Sequence, residues 1–310
     1  MFDGWFIIAN PFSNSGKTSE IIDLVVKKLQ SNLISHQIRL TERSGDELGF
    51  VNEATQAGYN KILAIGGDGT VQKVVAGITI QKNIPPEKMI FGLIPSGTGN
   101  DWAKSKNIPL NVSDAINLLI NGSINEQDVG VAKIVGSSET KTRYFVTYSG
   151  VGFDSFMLEK IKNYKWLGKL SYLVCAIMNF TKYKNVALEV VTSKTKIDAS
   201  VFLLGVGICK YTGGGMQLIK NPKGNDGLLN ITIAQEFSKF DIIRNFFNLF
   251  NGSIFKEQKV LTLVDSSIKI RAKNGSLACQ GDGEIFGAGE IEYSVIKLSL
   301  IHISEPTRPY

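Results

Sequence analysis

Histidine, cysteine and long apolar runs are all scarce in this 310-residue chain, and each scarcity removes a class of function. Only His36 and His302 occur, too few for a histidine-rich metal centre. Cys175, Cys209 and Cys279 stand far apart with no CxxC pair. They read as reduced core residues of a cytosolic protein, not as a disulfide framework or a zinc site. The absence of a GxSxG element weakens a serine-hydrolase reading. The longest apolar run, Tyr172 to Met178, falls well short of the roughly 20 residues that a membrane-spanning helix needs. The opening MFDGWFIIANPF has no basic segment and soon meets Asn10-Pro11, so no secretory signal is expected. These absences predict a soluble, cytoplasmic protein.

What is present is the composition of a globular chain. Hydrophobic residues at 43% and charged residues at 20% exclude disorder, collagen and coiled coil. The length allows about two domains at roughly 150 residues each. A net charge of +6 suits anionic partners such as nucleotides or acidic lipid headgroups without selecting one. No basic stripe or recognised binding motif points to nucleic acid.

Residues 1–127 alternate strand and helix signals. Apolar runs at Trp5–Ala9, Lys61–Ile65 and Met89–Ile94, with His36–Thr41, read as strands. A helical period runs from Ser19 through Ile22, Val25, Val26 and Leu29, and another through Val71, Val74 and Val75. Ser44 with Glu47 has the spacing of a capping box before a helix at Leu48. Such alternation predicts a Rossmann-like α/β domain with a parallel sheet. From Asp128 to about residue 289 the pattern becomes β-branched and aromatic runs divided by turn signals. The strands expected are Val129–Val135, Tyr144–Tyr148, Val186–Thr192, Val201–Gly207, Leu228–Ala234, Val260–Val264 and Ile268–Ala272. This predicts an antiparallel β-sandwich with helical insertions at Asp154–Asn179 and Lys239–Phe250. A last strand within 290–303 is placed to return to the first domain, and 304–310 reads as a tail without a core face.

Two glycine-rich stretches follow apolar strands, Gly66-Gly67-Asp68-Gly69-Thr70 and Ser96-Gly97-Thr98-Gly99-Asn100-Asp101. A loop that opens a helix at a strand's carboxyl end aims backbone N–H groups outward, and the helix dipole adds positive charge. Glycines without Cβ atoms let that backbone take positive φ and touch a phosphate. Thr70 and Thr98 add hydroxyl donors. Asp68 and Asp101 would repel phosphate unless Mg²⁺, or water bound to it, lies between. The segment Asn10 to Thr18 nearly matches GxxxxGK[ST], but Pro11 stands where glycine is required. It is therefore no Walker A loop, though Ser15, Gly16 and Lys17 still suit phosphate contact or a solvent-exposed turn equally.

Taken in order, these loops resemble the diacylglycerol kinase catalytic-domain superfamily, which includes bacterial lipid kinases and the sphingosine and ceramide kinases. Further matching elements are Asp128-Val129-Gly130, Gly150-Val151-Gly152-Phe153-Asp154, Gly213-Gly214-Gly215-Met216, Asp226-Gly227-Leu228-Leu229 and Asp282-Gly283-Glu284. The resemblance implies an ATP- and Mg²⁺-dependent lipid kinase that phosphorylates the hydroxyl of diacylglycerol or a related lipid. It places ATP against Asn10, Lys17, Thr41, Gly66, Gly67, Asp68, Gly69, Thr70, Val71, Gln72, Ser96, Gly97 and Thr98. It assigns a Mg²⁺–water network to Asp68, Asp101 and Asp128, and a structural Mg²⁺ to Lys223, Asp226 and Leu228. Glu284 becomes the general base and Asp68 a catalytic partner, with Asp282 either structural or positioning. GGDGT is shared with NAD and sugar kinases, which remain the alternative together with a non-catalytic nucleotide-binding regulator.

A lipid substrate further implies peripheral contact with the inner face of a membrane. Lys160, Lys162, Lys165 and Lys169 interleave with Ile161, Tyr164, Trp166 and Leu167. Phe240, Phe246, Phe247, Phe250 and Phe255 lie near Lys239, Arg244 and Lys256. Basic and aromatic residues together suit an anionic bilayer, and aromatic stripes at helical spacing also suit a core. Oligomeric state, a homodimer included, is left open by the sequence.

Overall fold

The computed structural model describes residues 2–13, 18–161, 178–179 and 182–304. The expectations for Ser15, Gly16, Lys17, Lys162, Tyr164, Lys165, Trp166, Leu167, Lys169, Cys175 and the tail beyond Ser304 lie outside the described residues. The chain forms two compact units. One holds the residues up to Val129 with the stretch from Lys297 onward, and the other is Gly130–Ile296.

The first unit contains β1 (Phe2–Ala9), α1 (Thr18–Ser31), β2 (His36–Leu40), α2 (Asp46–Gln56) and β3 (Tyr59–Gly66). It continues with α3 (Asp68–Ile80), β4 (Ile90–Pro95), α4 (Asp101–Ser105) and α5 (Val112–Asn121). Its strands lie in the order β2-β1-β3-β4, and every pair is parallel. The end of β15 (Glu290–Ser304) adds a fifth strand, with Ile301 opposite Ile90. Trp5, Ile7 and Ala9 pack with Ile22, Val25 and Leu29 of α1 and with Ala115, Ile116 and Leu119 of α5. Phe6 and Ile8, on the other face of β1, are equally buried. Burial of successive residues is what a parallel sheet covered on both faces requires. The capping box expected at Ser44 does not form. Gly45, at φ 103°, caps α2 instead. The Asp46 carboxylate takes the Glu42 and Arg43 N–H groups at 2.9 and 3.0 Å, so the turn closes around it, and the Glu47 carboxylate takes the Gly45 N–H.

β5 (Ser123–Val135) runs from the first unit into the second, which continues with β6 (Thr140–Phe145), β7 (Tyr148–Gly152), α6 (Phe153–Ile161), β8 (Val186–Thr192) and β9 (Lys196–Gly207). Then follow β10 (Leu229–Gln235), α7 (Lys239–Asn245), α8 (Asn248–Asn251), β11 (Val260–Asp265), β12 (Ser267–Ala272), β13 (Ala278–Gly281) and β14 (Glu284–Ala288). Neighbouring strands pair antiparallel. Leu188, Val190, Leu204, Val206, Ile231, Ile268 and Ile291 build the core of this β-sandwich.

The single strand expected at Tyr144–Tyr148 is two. The N–H groups of Val146, Thr147 and Tyr148 go to the Asp282 carboxylate, which ends β6 and redirects the chain into β7. The helix expected over Lys239–Phe250 is likewise two, interrupted at Phe246-Phe247. Cys209 and Cys279 are both buried. Among the described residues no helix is long and apolar enough to cross a membrane.

Candidate functional site

In the strand order β2-β1-β3, the chain leaves β1 to one side and then crosses to the other, which opens a crevice beyond the carboxyl ends of β1 and β3. A cavity of about 350 Å³ occupies that place. Asn10, Phe12 and Ser13 line it after β1, Thr41 to Ser44 and Glu47 after β2, and Gly67, Gly69, Thr70 and Lys73 after β3. The walls are held by backbone bonds. Asn10 N–H donates to Ile65 O at 2.9 Å and Thr41 N–H to Ala9 O at 2.9 Å. Asn10 Oδ1 accepts the Phe12 N–H at 3.0 Å. Ser13 Oγ donates to the Asn10 carbonyl (2.9 Å) and stands 2.8 Å from Thr18 Oγ1 and 2.7 Å from Ser96 Oγ.

The glycines serve proximity, not φ. Gly66, Gly67, Gly69, Gly97 and Gly99 all avoid the left-handed region, contrary to the expectation of positive φ. A Cβ on Gly66 would fall on the Thr70 side chain. One on Gly97 would lie 2.5 Å from Gly67 Cα, so the two glycine-rich loops touch backbone to backbone. Ser96 N–H also donates to Gly66 O at 2.9 Å. Gly67 caps α3 without a side-chain cap, leaving the helix start to face the cavity with its dipole.

The remaining assigned residues separate. Val71 is buried and its N–H is spent on Gly67 O, Gln72 is buried, and neither lines the cavity. Thr98 is exposed and also outside the lining. Asp68 Oδ1 accepts the Trp102 N–H at 3.1 Å, tying α3 to α4. A Cβ on Gly99 would meet Asp68 Oδ2 at 2.8 Å and Asp101 Oδ2 at 3.6 Å, so these carboxylates converge. Asp128 is fully buried within β5, where its Oδ1 accepts the Leu298 N–H at 2.8 Å and braces a residue at φ 47° in β15. Among the described residues no group of three His, Cys, Asp or Glu gathers as a metal cluster.

The second unit holds Glu284, exposed at the start of β14. It follows a tight turn in which Asp282 (φ 47°) and Gly283 (φ 83°) both lie in the left-handed region, the geometry that Asp-Gly favours. Burial pushes the Asp282 carboxyl up, against the opposing pull of its hydrogen bonds from Thr147, Val146 and Tyr148. Through these bonds Asp282 holds the corner between β6 and β7. Asp226 Oδ1 accepts the Leu228 N–H at 3.1 Å, closing the Asn225-Asp226-Gly227 turn.

Sequence reasoning missed Arg43, Ser44, Glu47 and Lys73 as lining residues. Lys73 was findable, because a residue one turn beyond Gly69 on a helix lies over the same loop. Its Nζ would be 3.8 Å from a Cβ on Gly69. Arg43 had no such signal, since its place depends on how the turn closes on Asp46.

The chain is similar to known proteins over both units. Residues 4–132 match the diacylglycerol kinase catalytic domain, and residues 147–300 match the YegS C-terminal NAD kinase beta sandwich-like domain. A YegS-like protein of Serratia proteamaculans, described as a probable lipid kinase, is 30% identical over 226 residues, 71% of this chain and 70% of that protein. A diacylglycerol kinase of Mycobacterium tuberculosis is 25% identical over 281 residues, 89% of this chain and 87% of its own. A crystal structure of a diacylglycerol kinase from Bacillus anthracis shares the fold, with a TM-score of 0.74 at 20% identity over 98% of each chain.

Proposed function

Because the chain belongs to the diacylglycerol kinase catalytic-domain superfamily and is a kinase, we propose that it moves the γ-phosphoryl group of ATP to the hydroxyl of diacylglycerol or a related lipid. The observation that carries this reading is the cavity beyond β1 and β3. Its lining combines hydroxyl and amide groups of Asn10, Ser13, Thr41 and Thr70, glycine backbone, a helix N-terminus and the Lys73 ammonium. That donor set suits a polyphosphate, whose negative charge the α3 dipole and Lys73 offset. Thr70, folded over Gly66, fixes the loop so that the backbone of Gly67 and Gly69 would meet the phosphates.

Asp68 and Asp101 offer the hard oxygen donors that Mg²⁺ takes alongside phosphate oxygens and water, and they would hold the ion. Bound there, Mg²⁺ supplies charge neutralisation on the transferring group. A second such donor set is the other Asp226 oxygen with the carbonyls of Lys223 and Leu228. A lipid hydroxyl is a weak nucleophile, so Glu284 acts as the base that accepts its proton as the phosphoryl group transfers. The rigid Asp282-Gly283 turn before it keeps the carboxylate presented.

Incubation with radiolabelled ATP and a panel of diacylglycerol, monoacylglycerol, phosphatidylglycerol, ceramide and sphingoid bases should label diacylglycerol. Glu284→Ala should lower kcat by ~100-fold or more while ATP affinity stays within about twofold. No labelled lipid would reject the function, and a variant retaining over ~10% of the rate would reject Glu284 as base.

A further inference from the structure

Phe240, Ile243, Phe247 and Phe250 are 70%, 63%, 77% and 42% exposed, although large apolar side chains on one short segment are the first expected to be covered. Phe240 and Ile243, three residues apart, share a side of α7, and Phe247 and Phe250, again three apart, stand at and in α8. The same segment has an inward face. Ile242, Leu249 and Phe255 pack against the cluster of Phe153, Met157, Phe202 and Phe237. The outward groups are thus surplus to the core.

They are also held in place. Gln217 N–H donates to Leu249 O at 2.6 Å and Gln217 Nε2 to Phe250 O at 2.8 Å. Phe246 sets its ring 5.5 Å from Phe247 and 5.7 Å from Phe250. Charge on the segment follows a second pattern. Residues 239–259 carry Lys239, Arg244, Lys256 and Lys259 against only Asp241 and Glu257. Both acids are engaged, Asp241 by Ser238 and Lys259, and Glu257 by Arg244 and Asn245, so the segment's excess charge is that of Lys239 and Lys256. Lys256 is exposed.

We propose that this face inserts into the surface of an anionic lipid bilayer, the Phe240–Phe250 side chains entering the acyl boundary while the basic residues meet the headgroups. A bilayer with acidic lipids offers both an apolar layer and negative charge at the depth of one helix radius. The proposal rests on the lipid-kinase reading for its purpose, but not for its test.

The test uses the full chain with vesicles of phosphatidylglycerol and phosphatidylcholine that contain no diacylglycerol. The wild type should float with them, and less so as salt rises. Phe240→Ser combined with Phe247→Ser should lower the vesicle partition coefficient by ~100-fold, with an unchanged thermal melt, since both side chains leave water on insertion. Lys256→Glu, a milder change, should weaken binding to these vesicles and leave neutral ones unaffected. The double variant should also phosphorylate a water-soluble short-chain diacylglycerol at the wild-type rate while losing turnover on vesicle-borne substrate. A wild type that ignores the vesicles, a folded double variant that binds within twofold of it, or a wild-type dimer that the double variant dissolves would overturn the proposal. Vesicle binding that behaves as expected in a protein that phosphorylates no lipid would leave this face standing and reject the kinase substrate alone.

Discussion

Gly97 and Gly67 approach so closely that a methyl group on either would strike the other's backbone, at 2.5 Å from Gly67 Cα in one case and 2.9 Å from Gly97 Cα in the other. Backbone cannot rotate aside as a side chain can. Gly97→Ala should therefore cost about 1–3 kcal/mol of stability by overpacking and, by parting the loops, weaken ATP binding. Gly69→Ala is the control for stability alone, because the nearest atom to its added methyl is the Lys73 Nζ at 3.8 Å. Urea unfolding and calorimetric ATP titration of the two variants decide it, and equal midpoints would show that the loops do not depend on this contact. At this scale the sequence was informative about residue type and silent about direction. Gly67, Gly69 and Thr70 could be read as phosphate-loop residues because their chemistry is local. That Val71 and Gln72 turn inward follows from where α3 meets the sheet, and the role of Gly97 depends on a partner thirty residues earlier.

Elements of the second unit show the same boundary between local and distant causes. Its long strands were legible, since β-branched runs at Val186, Val201 and Ile268 carry the signal within themselves. The break between β6 and β7 was not, because the acceptor that ends the ladder is a carboxylate 136 positions further on. The helical insertion near Lys239–Phe250 was legible too, though not its interruption at Phe246-Phe247. Asp282 is thus a pin for two elements at once, the β6–β7 corner and the β13–β14 turn. Asp282→Ala should leave the N–H groups of Val146, Thr147 and Tyr148 without their acceptor and cost on the order of 3 kcal/mol. Chemical denaturation measures this directly. A loss under ~0.5 kcal/mol, the range of an ordinary surface substitution, would mean that the corner is held by its strands alone.

For the molecule as a whole, acid stability should report on one buried imidazole. His302 lies on the returning strand of the first unit, 1% exposed, with the Trp102 ring edge-on at 5.2 Å. Burial, with a smaller push from Lys106, lowers its pKa from 6.5 to about 3, so it is neutral in the folded protein. In the unfolded chain it takes a proton below 6.5, which means that the unfolded state binds more protons between that value and about 3. Stability is then fully present above pH 6.5 and falls as pH drops through this window, by up to ~1.4 kcal/mol per unit. Carboxylates that are held low, such as Asp241 beside Lys259, begin to contribute only near their ordinary value of 3.8. Asp282, whose carboxyl burial pushes up, acts in the opposite sense, so a fall in stability across the upper part of the window belongs to the histidine. His302→Leu, which keeps an apolar filling and cannot be charged, should flatten the pH dependence of the urea midpoint between about pH 6.5 and 4.5. An unchanged slope in that variant would show that water or a rearranged strand reaches His302 in the folded state.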